Sequence, residues 1–567
     1  MPGPGSCLAL VVDGRDVEVP DDGGSLLDVL RERLGIRTLK DGCSPQGQCG
    51  CCTVLIDGQP RVACVTPARR VRGRSITTVD GLDSTVRAAW GQAFCATGAS
   101  QCGFCTPGIV MRLAGLRAKG TAADDHGAVE QALLAHLCRC TGWRTILEAW
   151  SAYGAPATAS ADPPARDLDA ASRRATLEGR TPQRVDPEVP LGHGGFADDT
   201  APTDALVAVP DGAGAWAVGE SVAEARAAAG KVQGRRTTAE LRHPIDLPPG
   251  DWDVTLRTTW VEPAYLEIDA SWCIPGGEPV SPLANGGAFG GKLATVVTGA
   301  ARELAARHGR PVRVLLARED AVRLGAKRPP IAAGIRVDGS GVIRVARTAG
   351  LRHVPRFHGR WGRGSGQQVI AEAIASVAPG LAVDQVDVPG PPTSPAPRAA
   401  GWAEALVVLA AAGVHVDIGA QVPGVLEAEG ASGRACVAVR SPDGAVARAD
   451  VVLGAEPRVR VAVGCGDPLD EVALRSYCVG AAHMALGWVC SEGLAVDEAG
   501  DVHDLTIRSF GVLRALDTPP IDVTIEPSDD PPVNGSDAAF AAVAAAAWLA
   551  QDCPPAWPTG HRLRRAH

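Results

Sequence analysis

Apolar and polar residues alternate along two short stretches near the start of the chain. Residues 7–19 (CLALVVDGRDVEV) and 53–65 (TVLIDGQPRVACV) each alternate around an Asp-Gly pair, which is the pattern of a β-hairpin with a tight turn. Between them, residues 26–35 (LLDVLRERLG) carry apolar side chains at helical spacing. A hairpin, a helix and a second hairpin in this order predict a small β-grasp domain.

Helical signals follow. Thr106-Pro107 forms a favourable N-cap and first-turn pair, and residues 128–137 (AVEQALLAHL) have an amphipathic helical pattern. Residues 223–233 and 293–309 also have helical character, whereas residues 252–268 are strand-like. Residues rich in Ala, Pro, Ser and charge between the two halves predict a linker.

These patterns predict a multi-domain α+β protein. The predicted units are a β-grasp domain (1–80), a helical-bundle domain (81–155), a linker (156–200) and a mixed α/β region in two parts (201–400 and 401–567). A chain of 567 residues that is 46% hydrophobic can bury several such cores.

Charge and hydropathy exclude two classes of partner. The formal net charge is −9, and the longest basic stretch is the short HRLRR at 561–565, so we expect no nucleic-acid partner. The sequence has no run of 18 consecutive apolar residues, so we expect no membrane span. The first residues have no basic segment ahead of an apolar one. We therefore expect a cytoplasmic protein.

Eleven of the 17 cysteines fall within the first 140 residues. Cys43, Cys49 and Cys52 lie in one loop, GCSPQGQCGCC, and Cys64 closes the second predicted hairpin. Four thiolates near one point predict a [2Fe–2S] cluster, with a structural zinc site or surplus thiols as alternatives. Plant-type ferredoxins have four residues between the first two cysteines, whereas this chain has five. Glycines 42, 47 and 50 would let the loop wrap a cluster, and Cys51 is expected to point away.

A second set of four cysteines follows. Cys102 and Cys105 precede one predicted helix, and Cys138 and Cys140 follow another. Helices in a bundle can bring such pairs together, which predicts a second four-thiolate site.

A glycine-rich motif, NGGAFGGK, occupies residues 285–292. It nearly fits a phosphate-binding loop, but Leu293 stands where that loop needs a hydroxyl. The motif could also be a plain turn between a strand and a helix.

In this order, QCGFCTPG, CRCTGW and GGAFGGK resemble motifs of the molybdenum hydroxylases of the xanthine dehydrogenase and aldehyde oxidoreductase family, most specifically over residues 7–150. The resemblance implies two [2Fe–2S] clusters, the first nearer an external acceptor, and a molybdenum-pyranopterin, as molybdopterin or its cytosine dinucleotide form. It assigns cofactor contacts to Gln101, Cys140, Gly287, Phe289, Gly290 and Arg398.

The resemblance also identifies departures. Ala399 and Ala400 replace a glycine and an aromatic residue beside Arg398, and Tyr477 stands where a glutamine is expected. Asp537 takes the position of the family's catalytic glutamate if the following helix is matched without a gap, whereas a match on Gly535 places Ala538 there. The alternative role for Asp537 is the N-cap of that helix, a position that Ser and Asp both favour.

The activity implied is oxidation of an aldehyde or an N-heterocycle with water as the oxygen source, and electrons leave through the two clusters. In purine-oxidising relatives a glutamate follows the glycine loop, so Leu293 favours aldehydes or hydrophobic heterocycles over xanthine. The implied partners are a small-molecule substrate, a separate FAD subunit or other electron acceptor, and a second copy in a homodimer. The alternative is an iron-sulfur electron-transfer or assembly protein whose C-terminal region binds no molybdenum.

Overall fold

The computed structural model describes residues 7–154, 166–230, 234, 237–280, 287–292, 295–348, 366–417 and 421–563. Parts of several sequence predictions lie outside the described residues: 156–165 of the linker, 231–233 and 293–294 of two predicted helices, and 285–286 of the glycine motif. Leu293 is among them.

The first domain has the predicted β-grasp arrangement. Its elements are β1 (Cys7–Val12), β2 (Arg15–Pro20), α1 (Leu26–Asp28, continued by a π-helical turn at Val29–Arg33), β3 (Thr53–Ile56), β4 (Gln59–Val62) and β5 (Ser75–Thr77). The sheet order is β2-β1-β5-β3-β4, with β1 and β5 parallel. Both Asp-Gly pairs form two-residue turns with positive φ at each residue, the backbone that matches the twist of a hairpin.

The second domain is a helical bundle, as predicted. It comprises α2 (Ser84–Thr97), α3 (Thr106–Arg117), α4 (His126–Ala132) and α5 (Arg144–Ala152). Helix α3 begins at Thr106, so Cys105 is its N-cap in place of the predicted Thr106. The ring of Trp90 stacks on Trp150 and Tyr153, which joins α2 to the end of α5.

The predicted linker contains a packed helix, α6 (Leu168–Gly179). Arg174 and Glu178 on this helix are fully buried and form an ion pair of 3.1 Å. Arg174 donates hydrogen bonds to the carbonyl oxygens of Pro468 and Val533. The composition of the segment predicted only a linker. Its packing partners, Pro468 and Val533, lie 294 and 359 residues away in the sequence from Arg174, so no local pattern indicates them.

The remainder of the chain is a mixed α/β region built on three sheets. Its elements are β6 (Leu206–Pro210), β7 (Trp216–Gly219), α7 (Val222–Ala228), β8 (Val254–Thr258), β9 (Ala270–Cys273), α8 (Val297–His308), β10 (Val312–Leu315), α9 (Arg318–Leu324), β11 (Ile331–Ile335), β12 (Gly341–Arg347), α10 (Gly366–Val377), β13 (Leu381–Asp387), α11 (Trp402–Ala411), β14 (Gly424–Ala431), β15 (Arg434–Arg440), β16 (Val446–Val452), β17 (Arg458–Gly464), α12 (Glu471–Cys490), β18 (Ile521–Ile525), α13 (Ser536–Leu549) and β19 (Ala556–Trp557). The sheet orders are β7-β6-β10-β9, β13-β12-β11-β8-β19 and β14-β15-β16-β17-β18.

Helices α12 and α13 form the centre of this region. They pack against each other, and α13 also lies on β15 and β16. Eight of the 14 residues of α13 are alanine, and every residue from Ser536 to Trp548 is buried. Small side chains let the backbones approach closely, so the two helices bring the ends of distant segments to one place.

Candidate functional site

The first cysteine set converges in a buried loop between α1 and β3. The Cys43, Cys49, Cys52 and Cys64 side chains are all buried, and their sulfurs contact one another in the order Cys49, Cys43, Cys64 and Cys52. The Gln46 amide donates to Cys43 Sγ at 3.2 Å, and the Cys64 amide donates to Cys52 Sγ at 3.4 Å. Four linked thiols with amide donors suit a [2Fe–2S] cluster, in which each iron takes two protein sulfurs.

Contacts between the thiols of the first cysteine set shift their pKa values in opposite directions. Hydrogen bonds from Cys49 and Cys64 hold the pKa of Cys43 well below its usual range. The pKa of Cys49 is raised, first by its contact with Cys43. One sulfur in the loop is therefore the favoured thiolate, which is the form that binds iron.

Cys51 does not point away from the set, contrary to the sequence prediction. Its side chain is 1% exposed, and its thiol donates a hydrogen bond to the carbonyl oxygen of Cys49 at 3.9 Å. The reason is the glycine at position 42: a Cβ there would lie 3.1 Å from Cys51 Sγ and 3.2 Å from Cys49 Sγ. Glycine leaves room for both sulfurs on one side of the loop.

The second set also converges, between the start of α3 and the loop before α5. Cys102 Sγ and Cys140 Sγ are 3.8 Å apart, and Cys105 contacts Cys138. A hydrogen bond from Cys105 lowers the pKa of Cys138. Here four buried thiols form two contacting pairs, which suits a [2Fe–2S] cluster, since each iron takes two protein sulfurs.

The two cysteine loops are in direct contact. A Cβ on Gly108, one turn after Cys105, would lie 2.2 Å from the carbonyl oxygen of Gly50 and 2.8 Å from that of Cys51. A Cβ on Gly50 would overlap the ring of His136, and Gly50 has a positive φ. Burial lowers the pKa of His136 to about 3. A neutral imidazole therefore packs between the loops.

The glycine motif lies against the second cysteine set. A Cβ on Gly287 would lie 2.7 Å from Cβ of Arg139 and 3.3 Å from Cys140 Sγ, and one on Gly290 would lie 2.0 Å from the carbonyl oxygen of Ala396. Phe289 between them has a φ of 42°, and its ring contacts the Tyr477 ring edge-on at 6.0 Å. Close backbone packing therefore requires glycines on both sides of Phe289.

Gln101 links Cys140 to helix α12. Its side-chain amide donates to the carbonyl oxygen of Cys140 and to Ser476 Oγ, both at 3.0 Å. Gly480 on α12 faces the same carbonyl, and a Cβ there would lie only 1.7 Å from it. The second cysteine set and the C-terminal helices thus form one packed unit.

Arg398 and Asp537 meet behind Phe289. The Arg398 guanidinium lies 4.1 Å from the Phe289 ring centre, and its Nε is 3.6 Å from Asp537 Oδ1. Arg180, just after α6, forms an ion pair with the other Asp537 oxygen. The structure therefore brings together all six predicted cofactor contacts and the predicted base.

Asp537 is not the N-cap of α13. That helix begins at Ser536 with Gly535 as its N-cap residue. Glu178 on α6 accepts hydrogen bonds from the Gly535 and Ser536 amides at 3.0 and 2.9 Å, and Asn534 Oδ1 accepts from the Asp537 amide. Because other side chains satisfy these amides, the Asp537 carboxylate is directed to the two arginines.

The sequence did not indicate three charged residues at this site. One is Arg180. The other two are Arg139 and Glu492, a buried pair in which Arg139 Nη2 donates to Glu492 Oε2 at 2.7 Å. Arg139 lies between Cys138 and Cys140 in CRCTGW, which could have indicated a positioned charge. Glu492 gave no signal, because its partner is more than 350 residues away.

The donors around this site fit a polar, anionic group such as a pyranopterin. Several buried polar atoms lack a hydrogen-bond partner among the described residues: Gln101 Oε1, Arg328 Nη2, Arg398 Nε and Nη2, Tyr477 OH and Trp488 Nε1. Buried polar groups are rarely left unpaired, so these atoms indicate a missing partner. The space beside Arg398, lined also by Trp488, Met484 and Phe540, has room for only a few water molecules, so a larger group requires these side chains to move.

No helix in the described ranges has the length and apolar character needed to cross a membrane.

Two family models match the chain: a 2Fe-2S iron-sulfur cluster binding domain at residues 10–75 and a [2Fe-2S] binding domain at residues 78–151.

Curated relatives match about a quarter of the chain. Xanthine dehydrogenase of Drosophila subobscura is 37% identical over 166 residues, which cover 26% of this chain and 12% of that protein. The nicotinate dehydrogenase small FeS subunit of Eubacterium barkeri is 36% identical over 129 residues, covering 23% of this chain and 81% of the subunit. The chain thus spans a small part of the xanthine dehydrogenase and most of the small subunit.

A solved structure matches nearly the whole chain. Aldehyde oxidoreductase from Desulfovibrio gigas superposes with a TM-score of 0.67 at 14% identity, covering 96% of this chain and 97% of that one. At this identity the likeness shows the fold. The two matched cluster domains, the relatives that share them and the fold of the whole chain together place the protein in the molybdenum hydroxylase family.

Proposed function

We propose that this chain is an oxidoreductase that oxidises a small aldehyde or N-heterocycle at its C-terminal region and passes the electrons through two [2Fe–2S] clusters. The observation that carries the proposal is the position of Cys140. Its sulfur belongs to the second set, its carbonyl oxygen accepts from Gln101, and the glycine loop lies against it. An electron leaving the C-terminal site therefore meets a cluster ligand directly.

The residues that would hold a molybdenum-pyranopterin are those with unpaired donors, together with the glycine loop. Gly287, Phe289 and Gly290 would present backbone atoms, and Arg398 and Gln101 would present side-chain groups. When bound, such a cofactor supplies the redox chemistry of substrate oxidation, and the protein supplies orientation and exclusion of water. Phe289 and Tyr477, 2% and 1% exposed, perform that exclusion here.

Asp537 is the proposed general base, and Arg180 controls its availability. The Asp537 carboxylate can accept a proton from substrate water only when one oxygen is free of its ion pair. The Arg398 side chain is 2% exposed and fixed, whereas the Arg180 side chain is 38% exposed. Arg180 can therefore turn into solvent and release one Asp537 oxygen.

The proposal also covers the substrate class, the oxygen source, the electron acceptor and the location of the protein. Leu293 supports aldehydes or apolar heterocycles over xanthine, because an apolar side chain leaves a polar ring edge unpaired at a cost of about 1–3 kcal/mol. Water supplies the oxygen. A relative named as a small FeS subunit supports further subunits, one of which we propose to bind FAD, and a homodimer and a cytoplasmic location complete the proposal.

A specific observation favours a second candidate, an electron-transfer or assembly protein that binds no molybdenum. The cavity beside Arg398 has room for only a few water molecules, and Asp537 is held between two arginines. Either feature would suit a region that has lost its cofactor.

The experiment that tests the proposal is anaerobic reduction by substrate. The purified chain is mixed with an aromatic aldehyde, with xanthine or with dithionite, and the reduced clusters are recorded by EPR. We expect the aldehyde to reduce both clusters and xanthine to do so more slowly. Reduction by dithionite alone would support the electron-transfer protein, and faster reduction by xanthine would contradict the substrate class.

A further inference from the structure

Two of the unpaired donors at the candidate site lie together on the wall of one small cavity. Arg328 Nη2 and Trp488 Nε1 have no hydrogen-bond partner among the described residues, and both side chains line the cavity beside Arg398. The Arg328 guanidinium stacks on the Trp488 ring, 4.0 Å from its centre. The two residues are 6% and 2% exposed. Because buried donors are rarely left unpaired, this pair indicates a ligand with an acceptor group.

Other contacts fix the position of Arg328. Its Nε donates to Glu404 Oε1 at 2.8 Å, and its Nη1 donates to the carbonyl oxygen of Arg398 at 2.6 Å. The guanidinium is therefore held in one orientation with Nη2 left for a ligand, which lowers the entropy cost of binding. Neither Arg328 nor Trp488 is among the six predicted cofactor contacts.

The charge around the cavity favours an anion. The charged side chains that line it, counted with their ion-pair partners, comprise five cationic groups and four carboxylates: Arg139 with Glu492, Arg328 with Glu404, Lys327 with Glu262, and Arg398 and Arg180 with Asp537. The Glu262 oxygens also receive no hydrogen bond, but Lys327 Nζ lies 2.9 Å from Oε2 and balances the charge. A ligand with one negative charge would make the site neutral.

The size of the cavity suits the two oxygens of a carboxylate. Its volume is about 30 Å³, which is room for about two water molecules at about 10–15 Å³ each. Met484 and Phe540 line the same cavity. Their apolar side chains can contact the body of a ligand, and the flexible Met484 side chain can move to make room for it.

We propose that Arg328 and Trp488 form a subsite for a carboxylate on the substrate, so that the substrate is an aldehyde or N-heterocycle whose apolar body carries a carboxylate. Arginine and the indole N–H only donate hydrogen bonds, and a carboxylate makes roughly twice as strong a bond to such donors as a neutral acceptor does. The substrate assignment rests on the proposed function, whereas binding of a carboxylate at the subsite requires no turnover.

Calorimetric titration of the purified full chain with benzoate and with benzyl alcohol tests the subsite. It is carried out on molybdenum-loaded and on molybdenum-free protein. We expect benzoate to bind about tenfold more tightly than benzyl alcohol to both forms, because hydrogen bonds to a charged group are stronger. Equal affinities for the two compounds would overturn the proposal. Binding of benzoate to the molybdenum-free protein alone would assign the donors to the cofactor and would overturn it as well.

Two variants identify the donors. Trp488→Phe keeps the stacked ring and removes the N–H, so benzoate should bind about three- to tenfold more weakly. Arg328→Lys keeps the charge and removes Nη2, and we expect a loss of about tenfold or more. The control is Trp252→Phe, because the Trp252 indole donates to the Pro248 carbonyl oxygen; its benzoate affinity should be unchanged. If Arg328→Lys does not fold, Trp488→Phe decides, and an unchanged benzoate affinity there contradicts the proposal.

Cluster reduction by two aldehydes separates this inference from the proposed function. In molybdenum-loaded protein, carboxybenzaldehyde at low concentration should reduce the clusters faster than benzaldehyde does, and Trp488→Phe should weaken that preference. Equal rates with the two aldehydes would contradict the substrate class. If neither aldehyde reduces the clusters, the proposed function fails, and the benzoate titration still decides whether the subsite binds a carboxylate.

Discussion

The two cluster domains and the C-terminal region hold their functional groups in different ways. In residues 7–154 the functional groups are cysteines at short spacings, and the first loop accommodates a fifth residue between Cys43 and Cys49. In the C-terminal region they are Phe289, Arg398 and Asp537, which come from separate segments and meet through the contacts of Arg398 with the other two. Local spacing is readable in a sequence, whereas a site assembled from distant segments is defined by packing.

Removal of one cluster ligand should have the largest effect. Cys52→Ser or Cys138→Ser replaces a thiolate with a much poorer iron ligand. We expect each variant to lose one EPR signal and about two of about four irons, whereas Cys95→Ser should lose neither. Retention of both signals in Cys52→Ser would show that the first set has been assigned wrongly.

Substitution of Asp537 addresses the other region. In molybdenum-loaded protein, Asp537→Asn keeps the shape and removes proton acceptance, so we expect turnover to fall on the order of 10²-fold or more. Arg180→Gln, which frees one carboxylate oxygen, should keep or increase turnover. Unchanged turnover in Asp537→Asn would leave the site without an identified base.

The junction between the regions is tested by Gly480→Ala. The added methyl group would overlap the carbonyl oxygen of Cys140, at 1.7 Å. We expect a loss of about 3 kcal/mol in stability, as for a severe overpacking change, with a lower melting temperature and a perturbed second-cluster EPR signal. Gly299→Ala on α8 is the control, since nothing lies within 4 Å of its Cβ; helix propensity predicts a gain of up to about 1 kcal/mol.

A smaller effect concerns acid stability. Burial, with Arg139 nearby, lowers the pKa of His483 to about 4, although the imidazole contacts the Leu513 carbonyl. The unfolded histidine has a pKa near 6.5, so acid protonates the unfolded state first. The contribution of the neutral His483 side chain to the free energy of unfolding is complete above pH 6.5. It is lost as the pH falls toward 4, by about 2 kcal/mol between pH 6.5 and 5.

His483→Gln cannot be protonated, so its melting temperature should fall less than that of the unmodified protein between pH 7 and 5. Parallel curves for the two proteins would contradict a buried neutral His483.

The sequence predicted what depends on neighbours along the chain. Both hairpins, the bundle helices and the two cysteine sets follow from spacing, turn residues and helical period. It did not predict the position of Cys51, because the space beside Gly42 is a three-dimensional property. The Arg180–Asp537 and Arg139–Glu492 pairs join residues more than 350 positions apart. Helix α13 is apolar on all sides, so periodicity could not indicate which face meets the site.

The most direct test of the central claim is the metal content of the purified full chain. If the C-terminal region holds a molybdenum cofactor as proposed, elemental analysis should give about four irons, two for each cluster, and about one molybdenum per chain. Four irons without molybdenum, in protein produced where the cofactor is available, would contradict the account and would identify the chain as an electron-transfer or assembly protein.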